Sequence, residues 1–504
     1  MPFNKIFSWI IKKRVHQIEL FKSYPLDVQR DVFEELILRA GKTEFGSKHQ
    51  FSKISDFNRF KNEVPLQTYK DIKPYVNRLK EGEQNLLWPN EIKWFAQSSG
   101  TSTGKSKLIP VSKESLEGCH YKGGKDLLGM YYNNHPKTKL FKGKHLIIGG
   151  SAKITKINRD AYFGDLSAII IKNLPWWCEI RRTPSKETAI LNEWEEKIDR
   201  LARETIKQDV HILAGVPSWT MVLLNRILEY SQAGSISEVW PNLELFMHGG
   251  VSFEPYKNQY DSIFCENPVN YVETYNASEG FFGIQDRTGA NDMLLMLDYG
   301  IFYEFIPMSE FNNTERPTLT LNEIELGVNY ALVISTNGGL WRYIIGDTIQ
   351  FTSRYPFRIR VTGRTNQFIN SFGEEVIEDN VNKAFNAACL DTKAELKEYT
   401  GAPIYMQKNQ TGGHEWLVEF EKEPENLTYF IQKFDEELKK RNSDYEAKRV
   451  NDLIMRAPII RILPKGTFYD WLKSKGKLGG QNKVPRLSNN RELIDEINSF
   501  ICVY

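Results

Sequence analysis

Residues 97–107 hold the densest group of side chains that could bind an anion. Their sequence is QSSGTSTGKSK, in which hydroxyl residues, glycines and lysines lie between the apolar runs 94–96 and 108–111. Glycine lets the backbone curve so that successive N–H groups point inward, and the hydroxyl and ammonium groups add further donors. The stretch therefore predicts a polyphosphate-binding loop between two strands, and a flexible linker is the alternative interpretation.

This loop matches a Walker A sequence only in part. A Walker A loop reads G-x-x-x-x-G-K-[ST] and opens a helix. Here Ser99 occupies the first glycine position, and Pro110 soon follows in a run that is typical of a strand. These two differences disfavour a P-loop kinase or ATPase.

Composition and charge exclude several other classes of protein. The 504-residue chain carries 66 Lys and Arg against 64 Asp and Glu, so no net field favours nucleic acid or a membrane surface, and we expect neither as a partner. No run approaches the roughly twenty apolar residues of a transmembrane helix. The five cysteines are scattered without paired motifs, which is typical of a reducing compartment and indicates a cytoplasmic location.

The rest of the chain predicts an α/β fold that can position such a loop. Apolar residues at helical spacing prevail over residues 24–90, ahead of the loop. Strand-like runs that end in glycine or proline then recur between helical segments, at residues 145–150, 210–217 and 243–250. This alternation is typical of a sheet whose strand ends carry a site. We predict a large N-terminal domain over residues 1–365, with mixed sheets and a β-rich part, and a small, mobile C-terminal α+β domain over residues 366–504.

Two further stretches place polar groups at the ends of strand-like runs. In YNASEG at 275–280, Glu279 could hold a magnesium ion and Tyr275 could stack on a base. A surface turn is the alternative. Asp347 follows Gly346 inside an apolar run, so its carboxylate must be solvated or paired, or must accept hydrogen bonds from a polyol such as ribose.

Four stretches, in this order, resemble motifs of the adenylate-forming superfamily of acyl-CoA synthetases, luciferases and peptide-synthetase adenylation domains. They are the loop at 98–107, YNASE at 275–279, YIIGD at 343–347 and the hinge-like GRTN at 363–366. Two departures stand out: Ile344 occupies the position of the motif's arginine, and Asn366 replaces the usual hinge aspartate. Arg342, two residues earlier, is no assured substitute for the missing arginine.

One branch of that superfamily fits best. Three motifs resemble those of the auxin-responsive Gretchen Hagen family of acyl-acid amido synthetases. They are SSGTSTG at 98–104, Y-x-x-S-E at 275–279 and Q-x-K-x-P-R at 481–486. The resemblance implies a reaction in two steps. A small carboxylic acid attacks the α-phosphate of ATP to give an acyl-adenylate and pyrophosphate, and an amine, expected to be that of an amino acid, then displaces AMP.

The resemblance also implies a role for particular residues. ATP would be bound by Ser98, Ser99, Gly100, Thr101, Ser102, Gly104, Lys107, Gly249, Gly250, Tyr275, Ser278, Asp347 and Arg364. Of these, Asp347 would anchor the ribose, and the two adjacent glycines would give the adenine close access to the backbone. Glu279 would hold Mg²⁺, and Lys483 would reach the α-phosphate. Two alternatives stay open: an acyl-CoA ligase with a thiol acceptor, and a nucleotide-binding module without ligase activity.

Overall fold

The chain forms two compact units in the computed structural model. Unit 1 comprises Met1–Gly250, Phe264–Ile345 and Ile349–Arg360, and unit 2 comprises Val251–Ile263, Gly346–Thr348 and Val361–Tyr504. The structure describes residues 2–98, 107–149, 154–158, 160–174, 179–189, 191, 194–250, 253, 256–265, 267–365, 367–369, 371–372, 374, 376–405, 412–449, 455–478 and 483–503. The predicted α/β class is confirmed, whereas the functional division at residue 365 stays a prediction.

The N-terminal part of unit 1 is helical, as the sequence predicts for residues 24–90. Proline begins the second helix at Pro25, where its missing N–H costs no hydrogen bond. Asp71 accepts the backbone N–H of Thr68 at 2.8 Å and so caps the fifth helix. The helices of unit 1 are Pro2–Ser23, Pro25–Ala40, Glu44–Lys48, Phe57–Glu63, Tyr69–Glu81, Lys113–Ser115, Tyr121–Asn134, Leu166–Lys172, Lys186–Ala189, Trp194–Thr205, Pro217–Ser231 and Ile236–Val239, with a π-helical turn at Leu116–His120 and 3₁₀ turns at Phe51–Lys53 and Met308–Glu310.

Among the described residues, fifteen strands form the two sheets that lie mainly in unit 1. They are β1 (Trp94–Ser98), β2 (Lys107–Val111), β3 (Lys144–Ile147), β4 (Thr155–Lys156), β5 (Tyr162–Gly164), β6 (Arg182–Thr183), β7 (Val210–Gly215), β8 (Leu245–Gly249), β9 (Asn270–Ala277), β10 (Gly280–Ile284), β11 (Met293–Leu295), β12 (Ile301–Pro307), β13 (Asn329–Thr336), β14 (Tyr343–Arg354) and β15 (Phe357–Arg364). One sheet has the order β2-β1-β5-β4, and the other has the order β12-β13-β14-β15-β11-β10-β9-β8-β7-β3-β6. Residues 346–348 of β14 and 361–364 of β15 belong to unit 2.

The large sheet contains a parallel part and an antiparallel part. Strands β6, β3, β7, β8 and β9 are paired in parallel, whereas β10 pairs antiparallel with both β9 and β11. The carboxyl ends of the parallel strands therefore lie at one edge of the sheet, which is where ligands bind in α/β folds. The strand ends that the sequence singles out, at 145–150, 210–217 and 243–250, all reach this edge.

A buried arginine joins the helical segment to the large sheet within unit 1. The guanidinium of Arg342 donates to both carboxylate oxygens of Glu304 at 2.9–3.1 Å. It also donates to the carbonyls of Lys61 at 3.0 Å and Val64 at 2.6 Å, and to the hydroxyl of Thr318 at 2.8 Å. The Arg342 and Glu304 side chains are only 5% and 0% exposed. All three guanidinium nitrogens are thus engaged in the fold.

Ile344, at the position of the motif's arginine, is a core residue. It packs against Ile306, Ala331 and Val333. Because the guanidinium of Arg342 is committed to Glu304 and the helical segment, Arg342 does not supply the cation that Ile344 lacks.

Unit 2 is a small α+β structure built on the sheet β18 (Glu395–Ile404), β19 (Gly413–Lys422) and β20 (Ile459–Leu463), in that order, with a short pair β16 (Phe368–Ile369) and β17 (Val376–Ile377). Its helices are Lys257–Ile263, Glu378–Thr392, Leu427–Arg441, Ser443–Lys448, Thr467–Ser474 and Glu492–Val503. The rings of Phe385 and Phe434 stack at 4.1 Å between centroids in its core. The elements that the sequence predicts at 416–420, 427–441 and 459–463 are present, and β18 is an additional strand.

Across the described residues of both units, no helix combines the length and apolar character needed to cross a bilayer.

Replacing Arg342 by alanine should lower the free energy of unfolding of unit 1 by about 3–5 kcal/mol, because the Glu304 carboxylate would stay buried without its counter-charge. Equilibrium urea unfolding followed by tryptophan fluorescence measures this change. Arg30→Ala is the matched control, since the Arg30–Asp27 pair is largely exposed and should contribute less than about 1 kcal/mol. Equal effects of the two substitutions would contradict the structural role of Arg342.

Candidate active site

The predicted phosphate loop connects two antiparallel strands of unit 1. β1 ends at Ser98 and β2 begins at Lys107, and these two residues are partners in the strand register. The backbone N–H of Leu108 donates to the hydroxyl of Tyr69 at 2.9 Å, which ties the base of this hairpin to the helix Tyr69–Glu81. The strands that the sequence predicts on either side of the loop are therefore present. Outside the described residues lie the predicted Ser99, Gly100, Thr101, Ser102 and Gly104.

Gly249 and Gly250 close β8 at the carboxyl edge of the parallel strands. Gly249 lies beside Thr274 of β9, and a side-chain carbon at Gly249 would lie 2.4 Å from the carbonyl oxygen of Thr274. Gly250 has a φ of 83°, which side chains disfavour. Both positions therefore require glycine. Burial lowers the pKa of the preceding His248 to about 3, so this imidazole is neutral near pH 7 and offers no positive charge to a phosphate.

The hairpin of β9 and β10 carries the next predicted residues. Tyr275 lies near the end of β9 with its ring centroid 4.8 Å from that of Phe282, and Ser278 and Glu279 form the turn before Gly280. Tyr275 and Ser278 are buried, whereas Glu279 is half-buried. The Glu279 carboxylate is thus the group of this turn with access to an ion in solution.

Two of the predicted residues form an ion pair in unit 2, and their charges reach a third, Lys483. In β14, Gly346 adopts a φ of 96° and accepts the backbone N–H of Thr365 at 2.9 Å. This contact joins the Gly346–Asp347 stretch to the end of β15. There Arg364 approaches Asp347 with 3.3 Å between Nε and Oδ1. The charges of both side chains act on the ammonium group of Lys483.

The ammonium group of Lys483 has a shifted pKa. The Lys483 residue is exposed to solvent overall, although protein atoms crowd its ammonium group. Its burial, together with the charge of Arg364, lowers the pKa of Lys483 to about 8, and the carboxylates of Asp347 and Glu378 oppose this change. Burial also raises the pKa of Glu378, against the charges of Arg486 and Lys483. Lys483 therefore remains mostly cationic at neutral pH and loses its proton in mild alkali.

Glu378 and Arg486 have no role predicted from the sequence, although the charges of both act on Lys483. Arg486 is visible in the sequence as the last residue of the Q-x-K-x-P-R motif. Glu378 begins the helix Glu378–Thr392, where a carboxylate is ordinary because it complements the helix dipole. Its position in the sequence therefore carries no functional signal.

Similar solved structures define the class of fold. The chain superimposes on the AtGH3.15 acyl acid amido synthetase in complex with 2,4-DB with a TM-score of 0.79 at 18% identity, covering 97% of this chain and 96% of that one. For 2-hydroxyisobutyryl-CoA ligase in the postadenylation state, the TM-score is 0.59 at 11% identity, covering 95% and 92%. At these identities the likeness shows the fold, which is that of adenylate-forming enzymes.

Family models narrow this class. The GH3 family N-terminal domain matches residues 14–269, the central domain residues 294–364 and the C-terminal domain residues 379–492. These matches cover most of the chain, which therefore belongs to the GH3 family. This is the auxin-responsive Gretchen Hagen family that the motifs predict.

Two relatives from Arabidopsis thaliana illustrate the similarity. Indole-3-acetic acid-amido synthetase GH3.3 is 24% identical over 547 residues, covering 94% of this chain and 91% of that protein. The 4-substituted benzoates-glutamate ligase GH3.12 is 23% identical over 554 residues, covering 93% and 94%.

Neutralising Asp347 and neutralising Arg364 should move the pKa of Lys483 in opposite directions. Asp347→Asn should lower it below about 8, because a stabilising carboxylate is lost, and Arg364→Gln should raise it, because a repelling charge is lost. NMR titration of ¹³C-dimethylated lysines, with Lys483→Arg to assign the signal, measures the change. A value near the ordinary 10.5 that responds to neither substitution would refute the cluster.

Proposed function

We propose that the protein is an ATP-dependent acyl-acid amido synthetase. It activates a small carboxylic acid as its adenylate and transfers the acyl group to the amino group of an amino acid. Membership of the GH3 family supports this proposal, as do the names of relatives that describe ligation of an acid to an amino acid or amide formation.

The observation that carries the proposal is the cluster of Asp347, Arg364 and Lys483 in unit 2. The Asp347 carboxylate can accept hydrogen bonds from the two ribose hydroxyls. In a nucleotide the α-phosphate is bonded to that ribose, so cations beside a ribose-binding carboxylate are placed to meet the α-phosphate. Lys483 and Arg364 supply these cations.

The chemistry of adenylation requires such cations. A carboxylate attacks the α-phosphorus while the bond to pyrophosphate breaks, so an anion approaches a polyanion and negative charge develops on the phosphate oxygens. Lys483 stabilises this charge, and an anion bound beside the ammonium raises its pKa and keeps it protonated. In the second step the amine attacks the acyl carbon, loses a proton and displaces AMP.

Further residues that the family resemblance assigns to ATP binding belong to unit 1. The loop at 98–107 would bind phosphate groups through its hydroxyls and Lys107. In this proposal Gly249, Gly250 and Tyr275 contact the adenine. This contact is supported by the exclusion of a side chain at both glycine positions.

Magnesium would be held by Glu279. Among the residues that the structure describes, no three His, Cys, Asp or Glu side chains converge on a metal position. This suits Mg²⁺, which is commonly bound by one or two carboxylates, substrate phosphates and water. The ion would supply positive charge to the phosphates when it is bound.

An acid-dependent exchange of pyrophosphate into ATP tests the first half-reaction, and acceptor assays test the second. With indole-3-acetate, substituted benzoates and related acids, we expect exchange for at least one acid, and amide formation when amino acids are added. Formation of a thioester with coenzyme A, without any amide, would show that the acceptor is a thiol and not an amine. Absence of exchange for every acid, despite ATP binding by calorimetry, would favour a nucleotide-binding module.

Two substitutions separate nucleotide binding from chemistry. Lys483→Ala should slow the exchange by about 10²–10³ because one stabilising donor is lost, while the Kd of ATP changes little. Asp347→Ala should weaken ATP binding itself, because the ribose loses its acceptor. Lys477→Ala is the control, since Lys477 is an exposed lysine in the same segment and its loss should leave both quantities unchanged. Wild-type exchange in the Lys483 variant would remove Lys483 from the mechanism.

A further inference from the structure

Arg486, three residues after Lys483, is a buried arginine whose side chain is engaged within unit 2. Its guanidinium forms an ion pair with Glu398, 2.5 Å from the carboxylate. It also donates to the hydroxyl of Tyr256 at 3.3 Å and lies 4.5 Å from the ring centroid of Tyr399. Arg486 is only 7% exposed. A buried guanidinium needs such partners to offset its desolvation, so this side chain holds a fixed position.

The backbone around Arg486 is fixed as well. The carbonyl of Arg486 accepts the N–H of Gly401 at 2.9 Å, and the carbonyl of Gly401 accepts the N–H of Ser488 at 3.0 Å. The hydroxyl of Thr400 donates to the carbonyl of Pro485 at 2.7 Å. Residues 485–488 therefore lie along β18, an edge strand of the three-stranded sheet of unit 2.

Lys483 is joined to this fixed segment by Val484 alone, a residue with little conformational freedom. Val484 is 5% exposed and lies in the interior, and the ring of Pro485 restricts its own φ to about −65°. The position of the Lys483 backbone is thus set by the segment that follows it.

The charges around Arg486 also indicate that it helps to position Lys483. Glu398 compensates Arg486, and both Arg486 and Lys483 act on the Glu378 carboxylate. Without Arg486, Glu398 would keep a partly buried carboxylate with no guanidinium beside it. The segment 483–488 would then keep its hydrogen bonds to β18 but lose the side-chain ion pair that adds to them.

We propose that Arg486, through its ion pair with Glu398, is a positioning residue that holds Lys483 beside Asp347 for the adenylation step. This inference rests on the proposed function. The Arg486 guanidinium is engaged with Glu398, Tyr256 and Tyr399, so we expect its effect on the rate to pass through Lys483.

A double-mutant cycle in the full-length protein tests the inference. Arg486→Met keeps much of the apolar contact with Tyr399 but removes the charge. We expect kcat for pyrophosphate exchange to fall by about 10- to 100-fold, the range that a displacement of about 1 Å can cause, while KM for ATP stays within about twofold of the wild-type value. In the Lys483→Ala background the same substitution should cause no further loss, since there is no lysine left to misplace.

Two other variants provide the controls. Arg491→Met removes another arginine of unit 2, which pairs with Glu415 at 2.6 Å and with Asp495, and it should leave exchange unchanged. Glu398→Gln keeps Arg486 and its contact with Tyr399, so it tests the ion pair even where Arg486→Met fails to fold. Thermal unfolding shows which variants are folded.

The outcomes distinguish the inference from the function on which it rests. Losses that multiply in the double variant, or wild-type kcat in both folded Arg486→Met and Glu398→Gln, would overturn the positioning role. If Lys483→Ala itself exchanged pyrophosphate like the wild type, the proposed function of Lys483 would fail instead.

Discussion

The balance of opposite charges around Lys483 is the interaction on which the account depends. Taking an ammonium group out of water disfavours its charged form, and nearby Arg364 adds to that cost. Asp347 and Glu378 offset it enough that Lys483 remains cationic at neutral pH. An anionic phosphate beside the ammonium would stabilise its charged form further. The same neighbours make this charge sensitive to small changes in position.

The fold positions these charges through strands and the segments that follow them. β14 begins directly after Arg342, whose buried pair with Glu304 fixes the start of that strand. Asp347 follows a few residues later, at a glycine with positive φ. Arg364 ends β15, and Lys483 precedes a segment that lies along β18. β14 and β15 thus supply Asp347 and Arg364, and the loop before the segment along β18 supplies Lys483.

The sequence predicts those parts of the structure that depend on consecutive residues. The strands on either side of the phosphate loop, the glycine pair after β8 and the helix at 427–441 follow from residue type and spacing, because local backbone requirements and hydrophobic periodicity determine them. The roles of Arg342 and Arg486 do not follow, since their partners Glu304, Glu398 and Tyr256 are distant in the sequence. β18 escapes prediction because Gly401 and Pro403 interrupt a run that otherwise reads as a strand. The pKa of Lys483 depends on burial, which only the folded chain reveals.

The most direct test of the central claim is a crystal structure of the protein with a non-hydrolysable acyl-adenylate analogue. We predict that the ribose hydroxyls donate to the Asp347 carboxylate and that the Lys483 ammonium lies within hydrogen-bond distance of the group that replaces the α-phosphate. An analogue bound with neither Asp347 nor Lys483 in contact with it would contradict the account.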